Sequence, residues 1–125
     1  WGSFNSAAKG RCRGSPPDSR AAKVVVSDLY AMNFRASATM DDITGEEPEH
    51  FKYGEETMEA WKEGRLSDDI IAEQRKVEAA ELVIFQFPLY WFSVPAIMKG
   101  WIDRVLTQGF AFSLQKMYNN GIFKV

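Results

Sequence analysis

Between Glu81 and Leu106 the chain reads E-L-V-I-F-Q-F-P-L-Y-W-F-S-V-P-A-I-M-K-G-W-I-D-R-V-L, an order that leaves few folds open. Leu82-Val83-Ile84-Phe85 is a continuous apolar run of strand formers. That is the pattern of a strand buried on both faces, as in a parallel sheet flanked by helices. Pro88 ends the ladder because it has no N–H to donate. Pro95 suits the first turn of a helix, where a missing N–H costs least. Leu89-Tyr90-Trp91-Phe92, between the two prolines, must form a loop. The unit is therefore strand, aromatic loop, helix. Its loop lies at the carboxyl end of a parallel strand, the edge at which open α/β sheets bind ligands.

The 125 residues suit one domain, 1–125, and a 46% hydrophobic fraction is globular rather than disordered. A net charge of −2 with interspersed lysines and acids argues against nucleic acid or an anionic membrane surface as partner. The longest apolar run is far below the ~20 residues of a membrane helix. The N-terminal residues show no signal-peptide pattern, so a cytoplasmic location is expected. One cysteine, Cys12, and one histidine, His50, exclude a disulfide framework and a Cys/His zinc site. Cys12 reads as a free thiol and His50 as a surface residue of the acidic segment 46–50. No Walker motif, Gly-rich phosphate fingerprint, Ser/His/Asp arrangement or working pair of carboxylates is legible.

In chain order, Ser3 to Lys9 looks like a helix start that breaks at Gly10–Arg20, where two glycines and Pro16-Pro17 remove any period. Ala22–Ser27 reads as a short β-branched strand, and Asp28–Phe34 as an apolar loop after it. Asp41–Gly45 reads as a turn. Gly54–Gly64 reads as a short helix with Met58 and Trp61 packing on one side. Ser67 is placed to cap a helix opened by Asp68 and Asp69, whose charges complement the dipole. Ile70, Ile71, Gln74, Val77 and Ala80 form its inner face, with Glu73, Arg75, Lys76 and Glu78 assigned to solvent. After Pro95, the pairs Ile97-Met98, Trp101-Ile102 and Val105-Leu106 recur every four residues and make a buried stripe. Gly109–Leu114 is an aromatic loop and Tyr118–Gly121 a turn.

Two places could hold a ligand. Tyr90-Trp91-Phe92, restrained by Pro88 and Pro95, could wall a flat heterocycle such as a flavin and offer backbone donors to its polar edge. The same aromatics could equally pack in the core. The helix start at Ser3–Ala7 could hold a phosphate through free N–H groups, a property shared by every helix end.

Several motifs carry a family resemblance: S-F-N at 3–5, S-D-L-Y-A-M-N-F at 27–34, D-I-T-G at 42–45, L-V-I-F-Q-F-P-L-Y-W-F-S-V-P-A-I at 82–97, K-G-W at 99–101 and Q-G-F-A-F at 108–112. With them the chain resembles the NAD(P)H:quinone oxidoreductases, and within these the dihydronicotinamide riboside:quinone branch. The resemblance implies an α/β, flavodoxin-like fold with a parallel sheet flanked by helices, incomplete in this sequence. It implies an oxidoreductase that uses tightly held FAD, as a homodimer with active sites at the subunit interface. The implied reaction is ping-pong: reduced nicotinamide passes hydride to flavin N5, and a quinone is then reduced by two electrons. By position, Phe4, Asn5, Ser6 and Ala7 would contact the FAD pyrophosphate. Leu89, Tyr90, Trp91 and Phe92 would lie along the isoalloxazine, with backbone N–H groups near N5 and O4. Phe92, Phe112, Ser113 and Leu114 would border the quinone pocket; no catalytic side chain is assigned and no metal is expected. Alternatives are a non-catalytic product of the family, or another flavodoxin-like flavin reductase.

The sequence also departs from that family. The family's first strand and its C-terminal half, with a Thr-Thr-Gly-Gly loop over the flavin, have no counterpart here. Lys52 stands where the family places Gln or Asn near the flavin. Residues 10–22 do not match the first helix, an abrupt loss of similarity that a local shift of reading frame would produce. In the flavodoxin strand order 2-1-3-4-5, the strand lacking here joins those at Lys23–Ser27 and Leu82–Phe87. The isolated chain is therefore expected to be poorly stable and not to hold FAD.

Overall fold

The structure, a computed structural model, describes residues 23–45 and 49–113. Three helices organise them: α1 (Tyr53–Glu63), α2 (Asp68–Glu78) and α3 (Ala96–Val105), preceded by a 3-10 turn at Met40–Asp42. Helix α1 stops at Gly64, whose φ of 70° is left-handed, a conformation glycine adopts without penalty. Its N–H donates back to the carbonyls of Ala60 and Trp61. Pro95 is the residue that precedes α3, so its missing N–H removes no helical hydrogen bond.

The start of α2 differs from expectation in one detail. Ser67 does occupy the N-cap, but its side chain makes no cap hydrogen bond. Its hydroxyl instead donates to Asp69 Oδ1 at 2.6 Å, and the same oxygen accepts the N–H of Ile70 at 3.0 Å. A carboxylate accepts more strongly than a hydroxyl, so Asp69 wins the competition for these donors. It also places negative charge at the positive end of the helix.

Two small cores form. Phe34, Trp101 and Val105 are buried with Leu29, Val77, Ile102 and Leu106 against them. Ala60, Leu66 and Ile70 form the second, with Ile43, Trp61 and Ile71. The second is stitched by an antiparallel bridge between Ile43 and Leu66 and by flanking bonds, Thr44 N–H to Arg65 O and Ser67 N–H to Asp42 O, both 2.8 Å. Helix α3 crosses the segment after Phe34 at very close range: a Cβ on Gly100 would lie 2.2 Å from the Ala36 carbonyl oxygen. Only glycine allows that approach.

The strands are where expectation and structure part. Among the described residues no β-ladder forms; there are only isolated bridges, and neither 23–27 nor 82–87 belongs to one. Val24, Val25, Val26, Leu82, Val83, Ile84 and Phe85 are exposed rather than buried on both faces. A ladder needs a neighbouring strand along at least one edge, and among the described residues no segment pairs with either one. What remains is contact with the helical layer: the Phe85 ring packs edge-on against Trp101 with centroids 5.6 Å apart.

Candidate functional site

The loop between the two prolines is a tight turn. Tyr90 N–H donates to Ser93 O and Ser93 N–H to Tyr90 O, both at 3.0 Å, closing a two-residue reversal around Trp91 and Phe92. Both central residues are left-handed, with φ of 49° and 59°. Turns of this hand normally carry Asn-Gly, because bulky residues there cost about 1–2 kcal/mol each. Strained φ values of this kind concentrate at functional sites. The two rings are also bare, Trp91 at 97% and Phe92 at 95% exposure, with Leu89 at 68%. They are not core residues among the described part of the chain. Their backbone N–H groups, at the tip of the turn, donate to no described residue, whereas those of Tyr90 and Ser93 are used in closing it. The turn thus offers two aromatic faces and two free amide donors, and that donor set fits the carbonyl edge of a flat heterocycle.

The other expected site residues are distributed as follows. Phe112 and Ser113 belong to a second turn after α3, closed by Gly109 N–H to Phe112 O at 2.7 Å and Ala111 N–H to Thr107 O at 3.0 Å. Gly109 takes φ 91° there. Phe112 is partly exposed and Ser113 half-buried. Leu89–Phe92 and Phe112–Ser113 therefore flank opposite ends of α3, whose ten residues span roughly 15 Å. Phe4, Asn5, Ser6, Ala7 and Leu114 lie outside the described residues. His50 and Lys52 are both exposed, as expected of His50.

Two buried polar networks support this layer, and local sequence gave no sign of either. Arg104 is 1% exposed and sits between two carboxylates. It meets Asp42 at 2.9 Å and Asp69 at 2.7 Å, donates to the Arg35 carbonyl at 2.9 Å, and lies 4.8 Å over the Phe34 ring. Asp42 is fully buried and also accepts from Arg35, from Tyr53 Oη at 2.7 Å and from the Thr39 N–H at 3.3 Å. Burial, and then the hydrogen bond to and charge of Asp42, push the Tyr53 phenol well above its usual range. Burial alone would lower the Arg104 pKa, but the two carboxylates outweigh it and raise it. Burial opposes ionisation of Asp69 too, and is outweighed by Ser67 and Arg104, so its carboxyl falls below the ordinary value. The second network centres on Glu73, which the helical pattern assigned to solvent. It is 1% exposed and accepts from Trp101 Nε1 at 2.9 Å, Ser27 Oγ at 3.1 Å and Lys76 Nζ at 2.5 Å. It ties α2 and α3 to the segment ending at Ser27.

With the aromatic turn and its supports in place, comparison with known proteins becomes decisive. The profile of the flavodoxin-like fold family matches residues 2–122. The chain belongs to the flavodoxin-like fold family. Within it, the chain is similar to the quinone oxidoreductases, as its motifs imply. It is 62% identical over 103 residues to the ribosyldihydronicotinamide dehydrogenase [quinone] of Rattus norvegicus, covering 81% of this chain and 45% of the relative. It is 61% identical over 104 residues to the NAD(P)H dehydrogenase [quinone] 1 of the same species, covering 82% and 38%. A crystal structure from Klebsiella pneumoniae, provisionally described as a quinone reductase, superposes with a TM-score of 0.69 at 50% identity. It covers 72% of this chain and 35% of that one. The chain thus spans less than half the length of these relatives. The flavodoxin-like fold class stands, although the described residues supply its helical layer and not a paired sheet.

Proposed function

We propose that this chain contributes one wall of a flavin site in an FAD-dependent quinone reductase. The observation that carries the reading is the left-handed Trp91–Phe92 turn, with bare rings and two unused amide donors, in a chain so similar to quinone oxidoreductases. Leu89, Tyr90, Trp91 and Phe92 would flank the isoalloxazine, and the N–H groups of Trp91 and Phe92 would donate to its electronegative edge. Bound flavin would supply the chemistry, accepting hydride from a reduced nicotinamide and then passing two electrons to a quinone in a ping-pong cycle. The chain's own part is to orient the ring, to cover one face from water, and to favour its electron-rich state through the two donors. Phe4, Asn5, Ser6 and Ala7 would hold the pyrophosphate, and Phe112, Ser113 and Leu114 would border the quinone. Because Phe92 and Phe112 flank opposite ends of α3, a pocket using both draws them from two copies, which supports a homodimer. We also propose a cytoplasmic location; no helix among the described residues is long and apolar enough to cross a membrane.

A second reading, a non-catalytic family product that keeps the family's interaction surfaces but neither holds FAD nor turns over, is favoured by the exposed, unladdered segments 23–26 and 82–85. Titration of the purified chain with FAD, followed by flavin fluorescence, and a quinone-reduction assay with a reduced nicotinamide separate the two. Saturable binding weakened at least tenfold by Trp91→Ala, together with turnover, supports the first reading. An absence of both binding and turnover supports the second. FAD affinity indifferent to Trp91→Ala and Phe92→Ala would sink both.

A further inference from the structure

Met58 and Trp61 stand on one side of α1, and neither has a part in the flavin site. They lie beneath the turn that follows α3. Gly109, early in that turn, comes so close that a Cβ on it would stand 2.7 Å from Trp61 Cε3 and 2.9 Å from Cζ3, with Met58 Cγ at 3.5 Å. Non-bonded carbons pack best at about 3.5–4.0 Å, so the backbone of the turn rests directly on the outer ring of the indole. Trp61 packs in its turn against the small core of Ala60, Leu66 and Ile70. It therefore stands between that core and the turn. The base of the turn is held separately, from α2. Gln74 is buried, and its Nε2 donates to Val105 O at 2.9 Å and to Thr107 Oγ1 at 3.2 Å. The Thr107 carbonyl accepts the Ala111 N–H at 3.0 Å, and Gly109 N–H donates to Phe112 O at 2.7 Å. With the base pinned by Gln74, the height at which Gly109 rests on Trp61 is passed to Phe112 through one short hydrogen bond. Phe112 keeps 38% of its surface exposed, free to meet a bound molecule.

We infer that Trp61 is a positioning residue for the Phe112 wall and sets the size of quinone that this wall admits, without itself touching the quinone. The inference rests on the proposed reading in which Phe112 borders the quinone. The indole holds the turn off the α1 core. A smaller side chain at 61 lets the turn settle toward that core, which draws Phe112 back and widens the space in front of it. Leucine at 61 would lack the ring atoms Cε3 and Cζ3 on which Gly109 rests. Gly109 is the matching half of the contact: a side chain there has no room above the indole, and its φ of 91° suits glycine. Gln74 differs in kind, because its two hydrogen bonds fix where the turn begins and not how far it stands from α1.

The test follows Phe112 itself, in the whole chain carrying 4-fluorophenylalanine and nitrogen-15, with the fluorine signal assigned by its loss in Phe112→Leu. Duroquinone and the longer, two-ring menadione are titrated with FAD present, and their affinities are read from the Ser113 amide shift. Trp61→Leu should displace the Phe112 fluorine signal before any ligand is added. It should also move the affinity ratio toward menadione by roughly tenfold, the low end of what a methylene-sized change in an apolar pocket gives. Trp61→Phe, which keeps part of the ring, should produce a smaller change of the same sign in both readings. Gly100→Ala strains the Ala36 contact and not the turn, so it should leave both readings at the parent value. A fluorine signal unmoved by Trp61→Leu, or moved as far by Gly100→Ala, would overturn the inference whether or not the chain binds quinone. So would an affinity ratio unchanged in Trp61→Leu but altered in Phe112→Leu. Failure of the underlying reading looks different: Phe112→Leu then leaves the ratio unchanged, or no quinone binds, and the inference about quinone size falls with it.

Discussion

Replacing Arg104 by methionine keeps the apolar stem of the side chain out to about the position of Nε and removes its charge and its fork of donors. Removing one member of a buried ion pair costs about 3–5 kcal/mol, mostly because the other charge is left without compensation. Here Asp42 is fully buried but keeps Arg35, Tyr53 and the Thr39 N–H, and Asp69 is 42% exposed and returns to water. The low end, about 3 kcal/mol, is therefore the expected loss. That is roughly a hundredfold in the folding equilibrium. In urea, followed by tryptophan fluorescence, the midpoint should fall by roughly 1–3 M at an unchanged slope, for slopes of 1–3 kcal/mol per M. Arg104→Lys should recover less than half of the loss, since an ammonium cannot reach both carboxylates and the Arg35 carbonyl in one geometry. A methionine variant within about 0.5 kcal/mol of the parent, or a lysine variant equal to it, would refute the view that the guanidinium fork clamps this layer.

Four further outcomes follow from the geometry. Gly100→Ala places a methyl group 2.2 Å from the Ala36 carbonyl, where backbone and not a flexible side chain must move; a loss near the top of the 1–3 kcal/mol range for overpacking is expected, read as a urea midpoint. Asp69 has a depressed carboxyl, so its contribution is present above the unfolded value near 3.9 and is lost as pH falls through the lower folded value. With that side chain partly exposed, the effect should stay below about 1 kcal/mol, and Asp69→Asn should flatten the acid limb of a midpoint-versus-pH profile. Tyr53→Phe removes a donor from buried Asp42 and should cost about 1–2 kcal/mol. Because the phenol is raised in the folded chain, the difference between the two proteins should be constant at neutral pH and shrink only above about pH 10. Trp91→Gly should leave the urea midpoint unchanged or slightly raised, since relief of about 1–2 kcal/mol of left-handed strain offsets glycine's added chain entropy. On the flavin-site reading its affinity for FAD should fall all the same; a destabilised variant with normal FAD affinity would reverse both halves of that reading.

The sequence disclosed what depends on neighbours along the chain. The Ser67-Asp68-Asp69 start, the glycine that stops α1 and the four-residue repeat from Ile97 to Leu106 are local signals, and the helices they specify are present. Helical period alone places Glu73 beside charged residues on the solvent face; its partners Ser27 and Trp101 stand 46 and 28 residues away, so its burial is not legible locally. Asp42 reads as an ordinary turn residue for the same reason, since Arg104, the buried one of its two cations, is 62 residues distant. The β-branched runs at 24–26 and 82–85 have strand propensity, but no strand forms there, because propensity does not supply the neighbour that a ladder requires. At the candidate site, the aromatic composition and the bounding prolines were legible. The left-handed backbone at Trp91 and Phe92 was not, because neither residue favours it and nothing in their identity announces it.

The Arg104 cluster also fixes an order of events in time. Its bonds close loops of 62 and 69 residues, back to Asp42 and to the Arg35 carbonyl. Long closures are entropically costly and slow, and a guanidinium gives up its water only when both carboxylates are already in place. The cluster should then be absent from the transition state and form after α3 has docked on its apolar stripe. Stopped-flow measurements on Arg104→Met should accordingly show faster unfolding with an almost unchanged refolding arm. A refolding rate slowed in proportion to the lost stability would instead place the cluster at the start of folding, as a nucleus rather than a final lock.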